Sequence, residues 1–220
     1  MLFRSSDGDS TFDGTTFSSV TGATITGASS DAEDDASLKV AITPDTTDDT
    51  SITLSDLTLA SDKLSDGSNS LSSSQTLTTV SDGAAPAMLS ASTADDDNDG
   101  TVDHIDVTMS ESLSDDDSTF DDTVFSTNDQ DASLGAASTD DSADDNQVDV
   151  VVNNAPAGDT SFTLTDLTLA SDVLSDGSNS LSSSQTLNTV SDGADAQVLT
   201  AEVTDTLPSS TVELRFSEDV

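Results

Sequence analysis

The stretch from Thr50 to Ala84 returns at Thr160 to Ala194, displaced by 110 residues, with four of its 35 positions changed. The changes are Ile52 against Phe162, Ser55 against Thr165, Lys63 against Val173 and Thr78 against Asn188, and none disturbs the order of apolar and polar positions. A period near 100 residues is far longer than a solenoid or propeller unit and matches a self-sufficient small domain. The chain is therefore expected to be a tandem array of like domains, an arrangement suited to spacing, display or adhesion.

The repeat reaches upstream of this core. Ser10-Thr-Phe-Asp-Gly-Thr-Thr-Phe17 matches Ser118-Thr-Phe-Asp-Asp-Thr-Val-Phe125 at an offset of 108, and two further residues in the second copy restore the offset of 110. Phe12, Phe17, Phe120 and Phe125 are expected to anchor cores. Leu38, Val40 and Ile42 correspond to Val148, Val150 and Val152, apolar at every second position as in a strand with one buried face. Ile52 and Leu54, and again Phe162 and Leu164, continue that alternation after a polar turn. Asp66-Gly67 and Asp176-Gly177 punctuate the next loops, and Asp82-Gly83 and Asp192-Gly193 end each unit.

Domain boundaries follow from the segments after those last glycines. Met88-Leu89, an acidic loop, and then Ile105, Val107 and Met109 precede Ser110-Glu111. Val198-Leu199, a shorter connection, and then Val212, Leu214 and Phe216 precede Ser217-Glu218. Each is a strand-loop-strand unit that opens a domain. Residues 1–83 are expected to form a domain lacking its opening strands, with Leu2-Phe3-Arg4-Ser5 a remnant of the second. Residues 84–193 form a complete domain, and 194–220 the opening strands of a further one. Three arrangements would supply the missing strands: a longer repeat chain, donation of the C-terminal strands to the N-terminal domain of a neighbour in a head-to-tail filament, or folding back within one chain. Many short strands with closely spaced turns and little helical periodicity make the expected fold class all-β, tandem antiparallel β-sandwiches.

Charge narrows the range of partners. Four basic residues, Arg4, Lys39, Lys63 and Arg215, face 44 acidic ones, of which only Glu33, Glu111, Glu202, Glu213 and Glu218 are glutamate. A net charge of -40 excludes nucleic acid and anionic lipid surfaces, both of which need clusters of Lys and Arg. Few aromatic residues and a large net charge are also the signature of disorder. The regular alternation argues instead for a halophilic protein, in which molar salt screens repulsion to within about 3 Å and strengthens burial. No cysteine is present, so disulfides and thiolate metal sites are excluded. No apolar run is long enough to span a membrane, and Met1-Leu2-Phe3-Arg4 opens no apolar segment of signal-peptide length.

One loop carries chemistry. Asp95-Asp-Asp97-Asn-Asp99-Gly100-Thr-Val-Asp103-His-Ile-Asp106 fits the calcium-loop pattern D-x-D-x-D-G. With Asp95 as position one, carboxylates fall at three, five, nine and twelve and glycine at six, as a hard cation requiring six to eight oxygens demands. Asp95, Asp97, Asp99 and Asp106 are the candidate ligands of a structural calcium, with Asp103 binding directly or through water. Against this, Asp-rich loops arise easily in so acidic a chain, and Asp106 belongs to a strand in which it is expected to face outward. The matching loop, Val203-Thr-Asp205-Thr-Leu-Pro208-Ser-Ser, has lost the ligands, so calcium is optional for the fold. His104, the only histidine, reads as an exposed strand residue. A serine nucleophile would have to use this same histidine, and no strand-turn-helix elbow surrounds any serine. Trp and Tyr are absent, which removes the usual sugar-stacking surface. No enzymatic activity is expected.

Asp-Gly-Ala-Ala-Pro86, the acidic loop through Asp103, and Ile105-Asp-Val-Thr-Met-Ser-Glu111 together resemble the opening of bacterial and archaeal Ig-like surface repeats. Their hallmark is an acidic loop followed by a strand ending in a V-T-F-S-E type sequence. Met109 replaces the usual Phe, whereas Leu214-Arg-Phe-Ser-Glu218 keeps it. With the acidity, the resemblance is to a haloarchaeal member. It implies tandem Ig-like sandwiches in a secreted or cell-surface protein, calcium stiffening some modules. The expected function is a structural or adhesive array whose partners are other modules of the same or a neighbouring chain, together with an unidentified cell-surface or glycan partner. An accessory recognition module of a secreted hydrolase and a strand-donating filament subunit are the alternatives.

Overall fold

The computed structural model describes residues 11–13, 17–18, 21–29, 38–63, 69–114, 124–130, 132–138, 145–206 and 209–220. The chain divides into two compact units, Met1–Ala84 and Ala85–Val220. Among the described residues the regular structure is all strand, and the paired strands are antiparallel.

The first unit holds β1 (Thr11–Asp13), β2 (Phe17–Ser18), β3 (Ala23–Ser29), β4 (Lys39–Pro44), β5 (Leu54–Leu59) and β6 (Gln75–Val80). They form two three-stranded sheets, ordered β1-β3-β4 and β2-β5-β6. Phe17, Ala23, Ala28 and Leu54 are buried, but Leu77 on β6 remains 63% exposed and Ile42 on β4 is exposed as well. Phe17, Leu57, Leu59 and Leu77 line an open apolar groove on this unit.

The second unit holds β7 (Met88–Ala94), β8 (His104–Met109), β9 (Phe125–Ser126), β10 (Leu134–Ser138), β11 (Gln147–Val152), β12 (Leu167–Leu169), β13 (Gln185–Leu187), β14 (Val198–Thr206) and β15 (Ser209–Phe216). One sheet is ordered β10-β11-β8-β7, a second β13-β12-β9, and β14-β15 stand as a hairpin. Alternation in the sequence becomes burial: Ile105, Val107 and Met109 of β8 and Val148 and Val150 of β11 have no exposed surface. They share one core with Phe125, Leu167 and Leu169 of the second sheet. Removal of this apolar area from water, at about 25 cal/mol per Å², is the main stabilising contribution.

Hydrogen bonds between the two sheets fix β7 in place. Gln185 Oε1 accepts from the Met88 amide at 2.7 Å, and its Nε2 donates to the Met88 carbonyl at 2.9 Å. The Ser191 amide donates to Ala91 and its carbonyl accepts from Thr93, both at 2.9 Å.

The alternation at Phe162 and Leu164 does not form a strand. Leu164 is buried, yet β12 begins only at Leu167. Beside it the Asp166 carboxylate accepts from Thr127 Oγ1 and the Asn128 amide, both at 2.9 Å, and so ties this segment to the residues after β9. In the first unit Ile52 likewise precedes its strand, whereas Leu54 begins β5. Phe17 and Phe125 are core residues as expected, and Phe12 lies in β1. Leu2 to Ser5, Asp66, Gly67 and Phe120 lie outside the described residues.

β14-β15 repeats β7-β8 residue for residue. Val198↔Phe216, an irregularity at Leu199, and Thr200↔Arg215 through Val203↔Val212 reproduce Met88↔Met109, an irregularity at Leu89, and Ser90↔Thr108 through Thr93↔Ile105. The surroundings differ. Val203 and Val212 are 68% and 63% exposed, where Thr93 and Ile105 are buried.

Candidate functional site

The acidic loop joins β7 to β8 and is wound by its own first carboxylate. Asp95 Oδ1 accepts from the Asp99 amide at 3.2 Å and Oδ2 from the Gly100 amide at 2.9 Å, while Asp97 Oδ1 also accepts from Asp99 at 3.1 Å. Asn98 at φ 58° and Gly100 at φ 87° take the left-handed conformation that this turn requires. Asp95, Asp97 and Asp99 each place a carboxylate oxygen within 4.8 Å of the other two. Desolvation, and then repulsion from Asp99, Asp103 and Asp95, holds the Asp97 carboxyl above its ordinary value in spite of the Asp99 amide. Three converging carboxylates, with Asp97 among them held above its ordinary value, are the electrostatic pattern that a hard cation relieves. The donor set therefore fits such an ion.

The other two sequence candidates lie elsewhere. Asp103 Oδ2 accepts from the Asp96 amide at 3.0 Å and so braces the loop. Asp106 stands with His104 and Asp149, in a separate group whose ligand atoms also lie within 4.8 Å of one another. His104 corrects the expectation of an exposed residue: it is buried, with Nε2 2.7 Å from Asp106 Oδ1 and Nδ1 3.4 Å from Asp96 Oδ2. The period of two that placed Asp106 on the outer face also places His104 there, a signal present in the sequence. Asp149 arrives only through the β8-β11 register, in which it stands opposite Asp106.

The loop also supports the second hairpin. A Cβ on Gly100 would lie 2.4 Å from Leu199 Cδ2, and one on Gly158 3.0 Å from Leu199 Cδ1, so the Leu199 side chain rests on two glycines. Gln197 Nε2 donates to Asn98 Oδ1 at 3.2 Å. Thr160 and Ser217, both buried, share a hydroxyl hydrogen bond of 2.7 Å, and Ser217 Oγ also accepts from the Gln197 amide at 2.8 Å. The hairpin is thus rooted on the loop that carries the carboxylates. The sequence offered no sign of this, since Leu199 and Gly100 meet only through the fold.

Beyond these arrangements, no family model, curated protein or solved structure matches the chain.

Proposed function

We propose that this chain is a structural or adhesive module array of a secreted or cell-surface protein of a halophile. Ig-like sandwiches act as its spacers or display units, and calcium held by Asp95, Asp97 and Asp99 stiffens the joint to the following hairpin. The observation that carries the reading is the repetition of β7-β8 as β14-β15, rooted through Leu199 and Ser217 on the preceding module. An ion in the loop would neutralise the carboxylates and fix the turn that meets Leu199. The composition supports the saline setting, since 44 acidic residues against four basic ones repel one another strongly in dilute buffer.

Circular dichroism across a KCl series, with and without calcium, tests both parts. The β spectrum is expected to persist in molar salt and to fall in dilute buffer, where added calcium restores part of it in the native chain but not in Asp97→Ala. An unchanged β spectrum in dilute buffer overturns the halophilic reading. An equal calcium response from both chains overturns the site.

A further inference from the structure

We infer that His104, Asp106 and Asp149 form a second metal site, distinct from the acidic loop and suited to a divalent transition-metal ion of zinc's kind. His104 and Asp106 lie two apart on β8, and Asp149 of β11 stands directly opposite Asp106. Strand register thus gathers all three on the face of the sheet turned away from Ile105, Val107 and Val150. Each offers a ligand atom within 4.8 Å of the other two. The imidazole is 8% exposed, and its Nε2 lies 2.7 Å from Asp106 Oδ1. Two donors that hold one ion at about 2.1 Å stand about 3 Å apart when they meet at a right angle, so this pair needs little movement to share an ion.

The surroundings of the imidazole point to an ion. Nδ1 lies 3.4 Å from Asp96 Oδ2, a carboxylate outside the group of three. Metal-bound histidines give their second ring N–H to such a carboxylate, which fixes the tautomer and raises the basicity of the ligating nitrogen. Asp106 and Asp149 set like charges opposite each other across the ladder, an arrangement that opposes pairing. A divalent ion between them reverses the sign of that interaction. The strands do not require these residues: β15 carries Thr211 and Glu213 where β8 carries His104 and Asp106, and β4 carries Lys39 where β11 carries Asp149. The donor types choose the ion. Asp95, Asp97 and Asp99 offer oxygen alone, which suits a hard cation, whereas the one imidazole of the chain supplies the nitrogen that zinc and its neighbours favour. Asp106 and Asp149 are half-buried, which leaves a path from solvent. Each carboxylate has two oxygens, so one can ligate while the other keeps a protein partner. The ion displaces the proton held between Nε2 and Asp106 Oδ1 and joins β8 to β11 through their side chains.

The site goes beyond the array reading and rests on neither its saline nor its calcium part. His104 is the only histidine, so its ring protons give one pair of NMR signals to follow. The full chain in molar KCl, with calcium in large excess, is titrated with zinc chloride. The His104 signals are expected to shift and to saturate at one equivalent of zinc. Asp149→Lys, which gives β11 the residue that β4 already carries, is expected to weaken zinc binding tenfold or more with the β spectrum unchanged, and Asp149→Asn to weaken it in the same direction. Asp96→Asn is expected to weaken it about tenfold while the one-to-one shift of His104 persists. Zinc that binds without moving the His104 signals, or equal zinc affinity in the native chain and both Asp149 variants, overturns the inference. So does loss of zinc binding in Asp97→Ala, which assigns the ion to the acidic loop. These outcomes leave the array reading standing, and an absent calcium response leaves the zinc result untouched.

Discussion

Residues 50–84 and 160–194 differ at four positions, yet the two copies are buried differently. The strands are shorter in the second copy, three residues in β12 and β13 against six in β5 and β6, but the local turn is shared. Asp62 and Asp172 take φ of 59° and 60°, and the amide of each bonds the carbonyl of its matching leucine, Leu71 or Leu181, at 2.8 Å. The Thr58 and Thr168 hydroxyls reach Thr76 and Thr186 at the same 2.8 Å. Burial is not shared: Leu167 and Leu169 have no exposed surface, whereas Leu57 and Leu59 are only partly covered. The difference comes from the β7-β8 hairpin and β11, whose side chains complete the core of the second unit. Turns follow from the segment itself, but a hydrophobic face gains its free energy only from what lies opposite.

Matched substitutions measure that difference, the largest first. Leu167→Ala is expected to cost about 2–5 kcal/mol, the range for a fully buried leucine, and Leu57→Ala roughly half as much. Denaturant midpoints in molar KCl, with hydrogen exchange to locate the loss, would show equal costs if the two faces were in fact equally covered. The glycine pair isolates close approach. A Cβ on Gly193 would lie 2.6 Å from the Thr93 carbonyl oxygen, while one on Gly83 meets nothing within 4 Å. Gly193→Ala should therefore cost about 1–3 kcal/mol and Gly83→Ala close to nothing; melting temperatures that shift together would contradict the contrast.

The smallest effect concerns acid. Hydrogen bonds from the Asn128 amide and then the Thr127 hydroxyl hold the Asp166 carboxyl below its ordinary value of 3.8. A depressed value in the folded state contributes stability that is present above pH 3.8 and lost as pH falls through the folded value. Asp166→Ala should remove about 1 kcal/mol at neutral pH and flatten the acid limb of the stability curve. Asp97 has the opposite sign. Its raised value means that the ionised group opposes folding at neutral pH, a cost relieved as pH falls through that value toward 3.8.

Much of the architecture was legible from period and alternation. Val40 to Ile42, Val148 to Val152, Ile105 to Met109 and Val212 to Phe216 all lie in strands, because a period of two leaves a strand with one apolar face as the economical solution. Phe162 and Leu164 misled, because alternation records which side chains turn inward and not whether the backbone joins a ladder. The site divided along the same line. Asp95, Asp97 and Asp99 converge because a local turn gathers them, as their spacing implied. Asp106 and His104 share a face by the same local alternation, but Asp149 joins them only through strand register, which no local pattern encodes. A Leu199 side chain resting on two glycines is more remote still, since it depends on a hairpin and two loops far apart in sequence.

That contact bears on the order of events during synthesis. Near-identical neighbours invite strands to pair with the wrong copy while a chain emerges from the ribosome. Here β14-β15 is among the least repeated stretches of the chain, and it settles on earlier loops of its own unit through Leu199 and Ser217. A hairpin that meets an already folded surface as soon as it is made has its local contacts available first, which favours them over pairing with a distant copy.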